Sequence, residues 1–303
     1  MSALLLLFAC LALGMLVRRF ASPPDTMAHS INWWVLYVAL PAIVLELIPR
    51  IHFDSQLWFP IAGTWVLFAG SWLLFAWLGR LLGWSRGRIG ALTIVCGLGN
   101  TTFMGYPLIE ALHGREGLKI AVVADQLGSF PILASLAILV ASVYAGHATD
   151  ARQIARRVLT FPAFLALLVG LLVNVLGGWP QAIHDMLKPV GATLTPLALF
   201  SVGLQLQLGA VRRHIGPMAV GLGWKLLLAP LLVWLLGRAT GIDGLILVVG
   251  VLQSAMAPMV SAAIVADEYD LEPELANSVL GVGILISLIT IPLADALLRM
   301  QPG

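Results

Sequence analysis

Charge is what this sequence has least of. Its 17 Lys and Arg and 15 Asp and Glu make up 11% of 303 residues, against roughly 25% in an average soluble domain. A water-soluble chain of this length needs a charged exterior, and so few charges cannot cover one. The composition excludes a soluble enzyme and points to an exterior that faces lipid. The net charge of +2 comes from scattered residues. Without an aromatic-interleaved Lys/Arg stripe there is no electrostatic footprint for a nucleic acid, and that class of partner is excluded too. Cysteine is nearly absent: Cys10 and Cys96 sit inside long apolar runs, where a thiol behaves as a small hydrophobe. Neither a disulfide framework nor a metal site follows. The six histidines, His29, His52, His113, His147, His184 and His214, fall in or beside polar breaks with no His pair at helical spacing. They read as solvated loop residues rather than metal ligands. No cofactor motif is present. GxSxG and HExxH are missing, and no second intramembrane Asp is placed to pair with Asp125, so an intramembrane hydrolase lacks its chemistry.

What is there is apolar length. A bilayer core of roughly 30 Å needs about 20 apolar residues per helix, and polar breaks divide the chain into ten such runs. Their limits are 2 to 17, 29 to 48, 57 to 79, 89 to 112, 118 to 144, 158 to 177, 189 to 208, 214 to 237, 244 to 266 and 275 to 298. The first run lacks a basic lead and is followed by Arg18 and Arg19, so it reads as a retained span rather than a signal peptide. Trp33, Trp58, Trp84, Trp179 and Trp234 lie near run ends, as interfacial anchors do. The expected fold class is an all-α membrane protein of ten transmembrane helices.

Lys and Arg are unequally shared between alternate breaks. The odd-numbered breaks hold ten: Arg18, Arg19, Arg80, Arg86, Arg88, Arg152, Arg156, Arg157, Arg212 and Arg213. The even-numbered breaks and the chain end hold six: Arg50, Arg115, Lys119, Lys188, Arg238 and Arg299, with Lys225 inside a span. The excess puts the odd breaks in the cytoplasm and both termini outside, in a multi-pass protein of the cell (inner or plasma) membrane. The acidic stretch Asp267 to Glu274 then faces the cytoplasm, and reads as a solvated turn whose Asp270, Pro273 and Glu274 start the last helix.

The two halves correspond. Pro41 in the second run matches Pro196 in the seventh, 155 residues on, and Gly97, Asn100 and Thr101 in the fourth match Gly250, Gln253 and Ser254 in the ninth, 153 residues on. Each of the latter pair places an amide and then a hydroxyl in mid-membrane, with a proline soon after, Pro107 or Pro258. The expected organisation is a first five-helix repeat over 1–145, a cytoplasmic linker over 146–157 and a second repeat over 158–303. An odd number of spans per repeat makes the second copy inverted. Glycine and proline at matching places weaken the fourth and ninth helices, and broken helices persist in a membrane only where they are buried in protein or line a cavity. Half-helix N-termini at the midplane suit an anionic ligand. The expected substrate site is where the two broken, crossing helices meet: Asn100, Thr101, Pro107, Gln253, Ser254, Pro258 and Ser261.

The motif NTTFMGYPL from Asn100, DQLGSF from Asp125 and the run VADEYDLEPELANSVLGVGILISLITIPL from Val265 resemble the auxin efflux carrier family in its bacterial form, over the whole chain. The resemblance implies a secondary transporter of small organic anions: auxin in plant members, dicarboxylates such as malonate or malate in some bacterial ones. It also implies two crossed, broken helices framing the site and a scaffold part against which a transport part moves. Nothing in either motif selects an indole ring over a smaller carboxylate.

Three further polar residues lie inside the apolar runs. Asp125, next to Gln126, is expected to face a partner or a cavity, because a carboxylate near the bilayer centre costs roughly 2.5 to 3.5 kcal/mol; it is the candidate for proton or sodium coupling. Lys225 sits too deep for easy snorkelling and is expected in a buried ion pair. Glu46, near the end of its run, is expected to reach the interface. The functional reading is a carrier for a small organic anion working by alternating access, in the lipid bilayer, with a homodimer as a candidate assembly. A channel or a substrate-sensing receptor on the same frame is the alternative.

Overall fold

The computed structural model describes residues 2–24, 26–52, 54–146, 151–206 and 213–300. His147 and Arg212, and with them part of the 146–157 linker, lie outside the described residues. Regular structure among the described residues is helical, apart from one isolated β-bridge, in line with the expected all-α class. Among the described residues, six helical runs are long and apolar enough to cross a bilayer: Met27–Arg50, Ser55–Leu82, Thr101–Ala145, Gln181–Gln205, Ile215–Ala239 and Pro273–Arg299. Ser2–Phe20, Arg86–Gly97, Pro162–Val175, Gly244–Ala255 and Val260–Glu268 are shorter. The expected fourth and ninth runs are each interrupted in the middle, after Gly97 and after Ala255. Thr101–Ala145 leaves helical geometry at Gly114, with φ 65°, between the expected fourth and fifth runs. The basic segment before the expected sixth run forms its own helix, Ala151–Thr160, ahead of Pro162–Val175.

Proline shapes these helices more than glycine does. Besides Ile132–Ala137, which follows Pro131, four turns among the described residues are widened by one residue, Val35–Ala39, Thr101–Gly105, Asp125–Ser129 and Trp224–Leu228. Each is followed two residues later by a proline, Pro41, Pro107, Pro131 or Pro230. A proline has no N–H to give and its ring collides with the carbonyl four residues back, so the preceding turn widens to make room. Those same turns carry Thr101, Thr102, Asp125, Gln126 and Lys225, five of the buried polar residues.

The helices pack in two groups. Ser2–Phe20, Met27–Arg50, Pro162–Val175 and Gln181–Gln205 pack chiefly on one another, and the remaining long helices form the second group. Within the first group Ser2–Phe20 crosses Gln181–Gln205 at Gly14 and Gly203. A Cβ on Gly203 would run into the Leu11 carbonyl oxygen, and one on Gly14 into that of Phe200. Backbone cannot yield as a side-chain tip can, and small residues are what allow such approach in lipid. Gly203→Ala is therefore expected to destabilise the protein by about 1–3 kcal/mol, read as earlier melting in detergent.

Candidate functional site

The second group is built around the two interruptions. Arg86–Gly97 ends at Leu98, which is extended (φ −122°, ψ 132°), and the chain becomes helical again at Thr101. Gly244–Ala255 ends at Met256, and helix resumes at Val260 after an extended Met259 (φ −79°, ψ 130°). The two extended stretches run antiparallel and touch: Gly99 bridges Pro258, and the Asn100 N–H donates to the Ala257 carbonyl at 2.8 Å. Gly99 is required by the approach, because a Cβ there would lie 2.9 Å from the Gln253 carbonyl oxygen.

This geometry shifts the expected correspondence. Asn100 caps the second half-helix of its pair, its Oδ1 accepting from the Phe103 N–H at 3.2 Å, and the residue in that position on the other chain segment is Met259, not Gln253. Gln253 and Ser254 belong to the last turn of a first half-helix. The prolines differ likewise. Pro258 lies in the break itself, whereas Pro107 lies inside the resumed helix and acts upstream, through the wide Thr101–Gly105 turn. Counting from the caps, Ser261 corresponds to Thr102.

Both second half-helices begin at one cavity of about 100 Å³. Asn100, Thr102, Asp125, Gln126, Met259 and Ser261 supply its wall around the helix starts. Leu36 and Leu40 from the first helix group, and Phe130 and Phe161, supply its apolar side. Of the expected site residues, the structure thus brings Asn100, Ser261, Asp125 and Gln126 to the wall. Thr101 turns away to Asp125, while Pro107, Gln253, Ser254, Pro258 and Lys225 lie off the cavity. Thr102 and Met259 were not legible as site residues; the NTT triplet marked the place, but which threonine faces the cavity depends on the widened turn.

The polar atoms on the wall divide into satisfied and open ones. Asp125, 2% exposed, accepts from four side chains: the Thr101 hydroxyl, the Thr102 hydroxyl at 3.0 Å, the Tyr106 hydroxyl at 2.9 Å and Gln126 Nε2 at 2.9 Å. That cage ties the start of the Thr101 half-helix to the neighbouring helix. Asn100 is 1% exposed, and its side-chain nitrogen has no hydrogen-bond partner. An unpaired buried amide donor costs free energy. The first N–H groups of Val260–Glu268 likewise have no acceptor within their own helix. Gln253, off the cavity, donates to the Ala121 carbonyl at 3.2 Å, and a Cβ on Gly105 would run into its Oε1.

The cavity continues into a wider chamber of about 480 Å³, sharing Leu36, Phe130, Leu133, Phe161 and Ser261 and reaching Thr160 and Glu268. Phe130 and Phe161 stack at 4.4 Å, one ring from each helix group, where the two spaces join.

The opposite end of the molecule is held by ion pairs, and in all four expectations about charged residues change. Glu46 does not reach the interface: it is 2% exposed, paired with Arg115 of the second helix group and 3.1 Å from His184. Neither His184 nor His113 is a solvated loop residue; His113 lies 2.6 Å from the buried Asp295, which also holds Arg299 at 2.9 Å. Lys225 has no acidic partner among the described residues. The acidic turn before Pro273 is also more than solvated, since Glu272 holds Arg88 at 3.0 Å and the Ser85 hydroxyl at 2.5 Å.

Residues 1–294 match the family described as Membrane transport protein. A protein of Methanothermobacter thermautotrophicus named as an uncharacterized transporter is 26% identical over 289 residues, 94% of each chain. Another so named, of Methanocaldococcus jannaschii, is 24% identical over 301 residues, 97% of each chain. A Rhizobium meliloti protein provisionally named a malonate transporter is 24% identical over 300 residues, covering 94% of this chain and 91% of its own. The transporter family expected from the sequence motifs stands.

Proposed function

The chain belongs to the Membrane transport protein family, and on that premise we propose that it is a secondary carrier of a small organic anion, a mono- or dicarboxylate, working by alternating access. The observation that carries the reading is the cavity itself: two half-helices start at one buried space, beside an unpaired Asn100 amide. An anion stripped of water needs donors, and helix starts supply N–H groups and a partial positive charge without adding a formal one. The dicarboxylate class is favoured by the name of the Rhizobium relative. Asp125 faces the same space, and two negative charges in one desolvated chamber oppose each other. A proton or a sodium ion taken up with the anion would relieve that conflict.

The architecture in this reading is ten spans in two inverted repeats, 1–145 and 158–303, joined by the linker 146–157. Two observations support it. Each half contains one interrupted helix in the same ordinal place, and the packing groups respect the repeat: the first two spans of each half form one group, and the last three of each form the other. The basic-residue count then makes the Thr160 and Glu268 end cytoplasmic, so that the cavity faces inward.

Alternating access requires the two groups to part at the far end. The Glu46–Arg115 pair is a latch between them there. Because Arg115 is 34% exposed, about 1 kcal/mol is a fair contribution. Replacing both partners, Glu46→Gln with Arg115→Gln, strands no buried carboxylate, since Glu110, the other partner of Arg115, is 36% exposed, and should populate the outward opening. A cysteine at Leu245, on the wall of the far-end pocket beside Lys119, should then react with an external maleimide roughly fivefold faster. An unchanged rate would show that the pair is not a latch.

Uptake into proteoliposomes tests the function. A carrier saturates and counter-exchanges a carboxylate, a channel conducts it without saturating at low concentration, and a receptor binds without flux.

A further inference from the structure

Lys225 is fully buried and takes no part in the cavity. It projects from the wide turn ahead of Pro230, and its lack of an acidic partner needs a physical account, since an uncompensated buried ammonium costs several kcal/mol. Its partners are backbone. Nζ donates to the Ser254 carbonyl at 2.6 Å, and lies 3.2 Å from where a Cβ on Gly99 would stand. Ser254 is in the last turn of Gly244–Ala255, and Gly99 is two residues beyond the end of Arg86–Gly97. The ammonium therefore stands where the C-terminal ends of both first half-helices meet. Each such end carries roughly half a negative charge, and two brought together repel. The second half-helices present their positive ends to the cavity, a few residues further along the same strands.

We propose that Lys225 is the resident cation of the crossover: a positioning residue that neutralises the two carbonyl ends and sets the potential of the cavity for anions, without touching the substrate. The inference rests on the carboxylate reading above. It has a signature that a merely structural lysine lacks. Coulomb energy is proportional to the ligand's charge, so removing one distant positive charge should weaken a dianion by the square of the factor that it weakens a monoanion.

The experiment compares malonate with its monoamide, malonamate, at near-neutral pH, by calorimetric titration of the purified full chain. Wild-type protein should bind both. Lys225→Gln should lose about tenfold in affinity for malonamate and about a hundredfold for malonate, and Lys225→Arg, which keeps the charge, should retain the wild-type ratio of the two affinities. Equal losses for both ligands in Lys225→Gln, or no loss, would overturn the proposal while leaving the carboxylate reading intact. A folded Lys225→Arg that loses its relative affinity for malonate would overturn it even if Lys225→Gln does not fold. Wild-type protein that binds neither ligand would overturn both readings.

Discussion

Asn100→Asp should abolish carboxylate binding in a protein that still folds. The carboxylate of the variant can go on accepting from the Phe103 N–H, as Asn100 Oδ1 does now, so the helix cap is kept. What changes is the other atom: the buried, unpaired side-chain nitrogen of this cavity-lining residue becomes a second negative oxygen. Losing a donor to a charged ligand costs about 1.5–3 kcal/mol, roughly 10- to 150-fold in affinity, and the added repulsion comes on top. Asn100→Ala should show the first part alone, with about 1 kcal/mol of stability lost through the cap. Gln253→Ala, by contrast, removes a hydrogen bond to the Ala121 carbonyl and should affect melting more than affinity. Titration and melting of the three variants check the pattern, and an Asn100→Asp protein with wild-type affinity would remove Asn100 from the site.

Asp125→Asn should damage the fold and the site together. Its carboxylate holds Thr101, Thr102, Tyr106 and Gln126 at once, and an amide in its place turns two of its own donors toward groups that now donate. Hydrogen bonds to a charged group contribute about 1.5–3 kcal/mol each; with two of the four lost, a cost of at least about 3 kcal/mol is expected. Because Thr101 and Thr102 open the half-helix that Asn100 caps, substrate affinity should fall with it. Melting of the ligand-free variant at the wild-type temperature would show that the cage is not what holds the half-helix in place.

Apolar length and Gly/Pro content located both interruptions, because a lipid-facing helix can be broken only at such places, and Asp125 announced itself by its cost. The pairing of Asn100 with Gln253 did not survive, since composition matched while backbone position did not: Pro258 occupies its break, and Pro107 acts upstream through a widened turn. Met259 carried no chemical signal at all, being a site residue through its place at a helix start. Glu46 and Arg115 are 69 residues apart and His113 and Asp295 are 182 apart, separations at which no local pattern links two charges. Lys225 was visible as a buried cation, but its compensation by carbonyl ends needed the folded backbone.

In the proposed carrier a carboxylate sits where the two second half-helices begin, in a chamber open to the cytoplasm. Ser261 lies on the wall of both spaces, which makes Ser261→Cys, with Cys10 and Cys96 replaced, its most direct reporter. In inside-out vesicles an impermeant maleimide should label this cysteine, and malonate should slow the labelling in a saturable way that Asn100→Asp abolishes. Labelling only from the external face, or at full rate under saturating malonate in a protein that transports it, would contradict the account.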